Sequence, residues 1–539
     1  MITPGSRRRS LDESTGRSAF LVASGILLSR ILGLVRQRVF SHYFGLRADA
    51  ADAFTAAFRI PNFLQNLFGE GVLSASFIPV YASLLARENK KEAARVAGAV
   101  ASILSCVTAV LVLAGVLATP LLIDAIAPGF TGSKRVLTIQ IVRILFPGAG
   151  LLVLAAWCLG VLNSHHRFFL SYTAPVAWNV AMIATLVAFG NRVELDRLAI
   201  LLAWGSVAGS ALQLGVQWPA VMRLTGRLRP AFTDAEGHVR EVIRNFIPVF
   251  ISRGVVQISA YVDSLLASLL PTGAVTGLAN AQLLYTLPVS LFGMSVSAAE
   301  LPAMSGAIGD SEQIASYLRS RLNAGLRRIA FFIVPSAVAF LALGDIVAAG
   351  LLQTGRFERA DAVYVWAILA GASVGLLAST LGRLYSSTYY ALRDTRTPLR
   401  FAILRVALTT LLGYLAAIPL PGWIGIPPRW GVAGLTASAG VASWVEFALL
   451  RHGLNRRIGQ TGVAPAFLAT LWIAAIAAAA AGWVIRFAAA PADPRIAALA
   501  VLAPFGAAYF AITSAVRVEE SRALIGRLSR LIRNRLPRP

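Results

Sequence analysis

The chain has 539 residues, 57% of them hydrophobic and 14% charged. A soluble globular domain carries roughly 45–50% apolar and about 25% charged residues, so that class is excluded. An outer-membrane barrel is excluded as well: it would give weak alternating segments of about ten residues, whereas these apolar runs reach about twenty and are rich in Ala and Leu. What remains is an all-α polytopic membrane protein.

A formal charge of +24 would point a soluble protein toward nucleic acid, but the 49 Lys and Arg residues cluster in alternate loops. That is the positive-inside pattern, with the N-terminus cytoplasmic. Basic stretches at 7–9, 88–95, 223–244, 319–328, 393–400, 451–457 and the C-terminal tail then share one side, and nucleic acid is not an expected partner.

In chain order, a basic cytoplasmic N-terminus (1–17) leads into a first apolar segment from Ser18 to Phe44, which lacks a small-residue cleavage site and reads as a retained span. It contains Arg30, Arg36 and Arg38. Arg30 and Arg36 are six residues apart, so a straight helix separates them by about 120°, and Gly33 between them permits a bend. The second segment, Asp52 to about Leu85, carries Asp52, Arg59, Asn62, Asn66 and Glu70 at spacings that form one helical stripe, with Pro61 inside it. A guanidinium left in hydrocarbon costs about 2.5–3.5 kcal/mol, so these charges are expected to face one another or a wet cavity.

Further segments lie near 93–124, 136–163, 169–190 and 197–222, completing an N-terminal lobe of six spans over 18–222. The polar, basic linker 223–240 contains Pro230 and divides it from a C-terminal lobe over 241–451, with spans near 241–270, 275–305, 325–348, 361–390, 398–419 and 431–451. Two more spans occupy 463–516, making about fourteen, and a basic cytoplasmic tail follows over 517–539. Interleaved apolar residues would let that tail lie on an anionic membrane surface.

A short repeat supports the two lobes. Leu67-Phe68-Gly69 followed by Ser74 to Pro79 matches Leu291-Phe292-Gly293 followed by Ser297 to Pro302, and Pro61 and Pro288 precede them. Duplicated halves point to a carrier that opens alternately to either side.

The C-terminal lobe adds Arg253 as a cavity cation, Asp263 and Glu300 as carboxylates for gating or ion coupling, and Gln257 and Gln282 as neutral candidates. Arg143, Arg383, Arg405, Glu446 and Arg486 read as span-end groups or structural pairs. Two or three arginines in one cavity suit a pyrophosphate, which a guanidinium grips through parallel hydrogen bonds. Enzyme signatures are absent: the adjacent His165 and His166 have neither a metal nor a nucleophile spacing, Cys106 and Cys158 lie in apolar segments, and there is no phosphate loop. No metal and no cofactor is expected. Energy would come from an ion gradient, the membrane potential or product consumption, with Asp263 or Glu300 able to take a monovalent cation or a proton.

The run Ser29-Arg30-Ile31-Leu32-Gly33-Leu34-Val35-Arg36, with Asp52-Ala53-Phe54, Phe58-Arg59-Ile60-Pro61-Asn62 and Phe77-Ile78-Pro79, closely resembles the MurJ (MviN) family of lipid II flippases, in the multidrug/oligosaccharidyl-lipid/polysaccharide exporter superfamily. Gln353 to Phe357 and Tyr390 to Pro398 agree with it. The resemblance implies fourteen helices, two six-helix lobes around a central cationic cavity, and two C-terminal helices forming a lipid-tail groove. By that analogy Arg30, Arg36, Asp52 and Arg59 belong to the cavity or its gate, while Glu70 matches the motif and is a candidate for gating or ion coupling, with a structural role as the alternative. It further implies a monomeric inner-membrane transporter in peptidoglycan biosynthesis, with lipid II as substrate and membrane lipids and cell-wall synthesis proteins as partners. Departures stand at Gln37, Gln65 and Asn66, and at Gln282-Leu283, where the family often carries charged groups. A flippase for another polyprenyl-linked glycan and a cation-coupled drug exporter fit the same features. A membrane-embedded glycosyltransferase would need catalytic groups in a larger outer loop.

Overall fold

The computed structural model describes residues 24–25, 27–226, 237–488, 493–524 and 526, without the side chains of Glu70, Val249, residues 251–260 and Ala488. The basic N-terminus, most of the linker and most of the tail lie outside the described residues. Regular structure in the remainder is helical, the arrangement that satisfies every backbone polar group within one segment in lipid. Eleven helices are long and apolar enough to cross a membrane, or twelve if a bent pair counts as one span, among the described residues. The helix over 27–44 and the helix His238–Ser268 stand outside that number.

Two compact units divide the chain. The first comprises Met1–Thr276 with Thr354–Arg356, the second Gly277–Gln353 with Phe357–Pro539.

In the first unit, α1 (27–44) is followed by α2 (Asp49–Phe68), α3 (Glu70–Ala86), α4 (Lys90–Leu117), the short α5 (Thr119–Ile126), α6 (Gly132–Ser164), α7 (Phe168–Phe189), α8 (Leu195–Thr225) and α9 (His238–Ser268). Helix α6 is the centre: its buried face runs from Leu137 to Leu162 and packs on α2, α3, α4 and α8. One apolar core joins Phe40, Phe44 and Phe54 to Ile141, Leu145 and Leu202. A second, toward the other end of α6, gathers Phe77, Tyr81, Val153, Trp157 and Leu162. There Tyr81 Oη lies 3.0 Å from His165 Nε2 in the α6–α7 turn. Desolvation, helped by His166, Arg167 and Lys90, holds the His165 imidazole below its ordinary pKa.

The second expected span is broken. Helix α2 continues through Pro61 and stops at Gly69, where extended backbone (φ −79°, ψ −157°) separates it from α3. A Cβ at Gly69 would run into the Gln65 carbonyl oxygen, so the break requires glycine.

In the second unit, α10 (Ala274–Pro288), which begins in the first, runs through a π-helical segment Val289–Met294 into α11 (Ser295–Ser305). The repeated Leu-Phe-Gly therefore marks an irregularity both times: the end of α2 and the π segment. The long α12 (Ser311–Leu352) is buried along much of its length and packs on the bent pair α13 (Arg359–Ser373) and α14 (Leu376–Ala391). After them come α15 (Arg396–Ala417), α16 (Pro419–Trp423), α17 (Gly431–Ile458), α18 (Pro465–Ala488) and α19 (Pro494–Ala515), the last two packing on α12 and on each other.

Side-chain caps fix the ends. Asp310 accepts from the Gln313 amide at 2.8 Å to start α12, and Asp493 accepts from the Arg495 amide at 2.7 Å with Pro494 in the first turn of α19. In the Tyr390–Pro398 motif, Asp394 accepts from the Arg396 and Thr397 amides at 3.0 Å and from Thr397 Oγ1 at 2.7 Å, and pairs with Arg457 at 2.8 Å. Hydrogen bonds from Thr397 and then Arg457 push its carboxyl down to about 2.

Candidate functional site

Arg36 occupies a position one residue type explains well. Its guanidinium carbon lies 4.8 Å from the Trp178 ring centroid and 5.6 Å from that of Phe58, and the two rings stack at 5.6 Å with an 18° tilt. The Met182 sulfur lies 3.9 Å from Nη1. Cation–π contact of this kind contributes about 0.5–2 kcal/mol and suits the planar guanidinium better than an ammonium. Among the described residues no carboxylate stands within ion-pair distance of Arg36, so its charge is held by rings and sulfur and stays uncompensated.

Arg59 faces a different neighbour. Its Nη1 donates to Ser264 Oγ at 2.6 Å, its carbonyl accepts from Tyr261 Oη at 2.5 Å, and Asp263 on the same stretch of α9 interacts with it electrostatically. Asn62 lines a small cavity with Phe58, Trp178, Ser206 and Ser210, on the Arg36 side of α2. Arg30 and Asn66 are exposed. Within the stripe expected along α2, Arg59 and Asn62 thus face two different neighbours, α9 and α7. The side chains of Glu70, Arg253 and Gln257 lie outside the described residues.

Asp52 is 1% exposed and fully engaged. Lys134 Nζ lies 3.0 Å from its Oδ2 and 3.1 Å from Asp49 Oδ1. Asp52 Oδ2 also accepts from the Gly273 amide at 2.8 Å, while Oδ1 accepts from the Thr276 amide at 2.9 Å and Thr276 Oγ1 at 2.7 Å. One carboxylate from the first turn of α2 therefore caps the first turn of α10, where unsatisfied amides favour negative charge. The segment 354–356 closes on the same end of the unit: the Arg356 amide donates to the His42 carbonyl at 2.8 Å, and His42 Nδ1 lies 2.9 Å from Thr354 Oγ1. Gly45 and Gly355 both have positive φ, +63° and +52°, and a Cβ on Gly45 would sit 2.6 Å from the Arg356 carbonyl oxygen.

Sequence reasoning missed Lys134, Thr276, Trp178 and Ser264 as partners. Lys134 and Trp178 stand at unremarkable positions in a span end and an apolar helix, and no local spacing links them to residues tens or hundreds of positions away.

In the second unit Glu300, 4% exposed, pairs with Arg321 at 2.8 Å and Arg328 at 3.5 Å. Arg405 pairs with Glu446 at 2.9 Å, and Asp345 receives both Arg359 and Arg486, the latter at 3.0 Å. No group of three metal-ligating side chains occurs among the described residues.

The family model for lipid II flippase MurJ matches residues 40–501. The chain belongs to the MurJ family. Lipid II flippase MurJ of Burkholderia cenocepacia is 31% identical over 447 residues, 81% of this chain and 84% of the relative. A probable lipid II flippase MurJ of Haemophilus influenzae is 29% identical over 473 residues, covering 85% and 90%. Among solved structures, a lipid II flippase MurJ in an inward closed conformation aligns with a TM-score of 0.76 at 22% identity, covering 94% of this chain and all of that one. An inward-facing MATE-family multidrug transporter gives 0.63 at 16%, covering 81% and 98%. These likenesses carry the fold, that of MurJ proteins and their exporter relatives. As a MurJ family member the chain is a transporter and not an enzyme.

Proposed function

We propose that this protein carries lipid II, the polyprenyl-pyrophosphate-linked peptidoglycan precursor, from the cytoplasmic to the outer leaflet of the inner membrane by alternating access. Family membership supplies the cargo. Arg36 supplies the observation that carries the reading at residue level: a guanidinium at span depth, oriented by Trp178 and Phe58 and left without a carboxylate among the described residues, is a charge kept for an anion. Arg30 and Arg59 join it as headgroup contacts, with Asn62, Asn66 and Arg253 as further polar contacts. Asp52 is the gating carboxylate. Asp263 and Glu300 stand close to guanidinium groups, so their role here is charge balance, and any coupling draws on the membrane potential or a monovalent cation.

The functional lobes are taken as 18–222 and 241–451, joined by 223–240, with 463–516 following as the site of the lipid tail. Both termini are cytoplasmic, a topology supported by the basic loops. Lipid and cell-wall synthesis proteins are the partners, and the protein acts as a monomer.

Depleting the resident lipid II flippase of a bacterium and supplying this chain tests the reading. Wild type should restore lipid II in the outer leaflet, and an equally abundant Arg36→Gln protein should not. A well-inserted wild type that leaves lipid II inside, in a host where a MurJ relative succeeds, overturns it.

A further inference from the structure

Helix α14 crosses the second unit with one open face. Leu376, Leu377, Ala378, Thr380, Leu381, Gly382, Leu384, Tyr385, Thr388 and Tyr389 are buried, and the other positions before the terminal Ala391 are the exposed Arg383 and Tyr390 and the half-buried Ser379, Ser386 and Ser387. At 100° per residue these five fall within one arc of about 100°. Every one is polar, and Arg383, the most central along the helix, is exposed with no carboxylate within ion-pair distance among the described residues. A hydrocarbon-facing stripe of this kind would strand a guanidinium and four hydroxyls in lipid, so the face lines water.

Neighbouring helices extend the same polar surface. Tyr285 Oη of α10 lies 2.7 Å from Ser379 Oγ, and both Arg383 and Arg405 act electrostatically on it. Arg405 of α15 is tied to Glu446 of α17 at 2.9 Å, and Arg383 also acts on that carboxylate. Two guanidiniums and one carboxylate leave a single positive charge. Glu446 would repel a polyanion, while Arg383 flanked by serine hydroxyls matches a mono-anion with two acceptor oxygens.

We infer that the Ser379–Arg383–Ser387 face of α14 is an oxyanion subsite that takes a carboxylate of the peptide on the substrate's headgroup. This rests on the lipid II reading, since that headgroup carries both a pyrophosphate and a pentapeptide. Arg383 donates the forked pair, the serines complete it, and Glu446 holds Arg405 beside it so that the local charge stays at one. The subsite makes the carrier select for a peptide-bearing headgroup.

The full chain in proteoliposomes tests this with two lipid probes, the polyprenyl-pyrophosphoryl disaccharide with its pentapeptide and the same lipid without peptide. The readout is the ratio of their translocation rates. Arg383→Gln should lower the ratio about tenfold relative to wild type, the size of one lost charge-assisted contact, and Arg383→Lys should recover part of it. Arg36→Gln should slow both lipids and keep the wild-type ratio. An Arg383→Gln protein with an unchanged ratio overturns the subsite, whether both rates fall together, as for a phosphate contact, or neither falls. A wild type that moves neither lipid overturns the flippase reading and the subsite with it.

Discussion

Asp52 and Thr276, 224 positions apart, share two hydrogen bonds to a single carboxylate oxygen, one from the Thr276 amide and one from its hydroxyl. The other oxygen holds Lys134 and the Gly273 amide. Removing the charge should therefore cost more than removing the hydroxyl. Asp52→Asn is expected to destabilise the protein by about 2 kcal/mol and Thr276→Val by about 1 kcal/mol. Thermal unfolding in one detergent measures both, and equal losses would show that the charge contributes nothing beyond its hydrogen bonds.

At Arg36 the geometry separates charge from shape. Arg36→Lys keeps the charge but loses the plane that lies over Trp178 and Phe58, so its lipid II transport should fall about tenfold, and Arg36→Gln should fall further. Transport by the lysine variant at the wild-type rate would mean that the aromatic cradle is incidental.

The Asp394 cap carries a pH signature. Its folded carboxyl sits at about 2 against an ordinary 3.8, so the stabilisation is fully present above about pH 4 and is lost as pH falls through 2. With the group partly solvated, Asp394→Ala should cost about 1 kcal/mol at pH 7, the usual value of a lost cap. Melting curves of wild type and variant should converge between pH 4 and 2. A gap that persists at pH 2 would assign the effect to packing.

His165 acts with the same sign in a higher window. Its folded pKa lies below the ordinary 6.5, so the unfolded chain takes up the proton first, and stability present above pH 6.5 declines as the pH drops below it. Wild type should lose more melting temperature between pH 7 and 5 than His165→Gln does. Identical slopes would remove His165 as the titrating group.

Fold class was legible because lipid imposes long apolar helices, and family membership was legible because motif residues such as Phe58-Arg59-Ile60-Pro61-Asn62, inside the matched 40–501, cluster in sequence. The break in the second span was only half legible. Pro61 stood out inside the segment as a residue that breaks helices, yet the helix passes through it and ends at Gly69, whose backbone leaves no room for a side chain beside Gln65. Asp52 stood out as a charge in an apolar run, but its partners at 134, 273 and 276 come from other helices and leave no local trace. The α14 stripe illustrates the reverse case. Arg383 read as a structural or span-end group until the burial of its neighbours showed that, short of the terminal Ala391, the residues left unburied are polar.

The clasp between His42 and the 354–356 segment also orders the making of the protein. Because Thr354–Arg356 belong with the first unit, that unit is interrupted by residues 277–353 in the chain. During synthesis α1 and α2 enter the membrane long before their last partner leaves the ribosome. The first unit is therefore finished only after α12 has been made, and a chain halted before residue 354 should hold an N-terminal unit that is inserted but unclasped at His42 and Gly45.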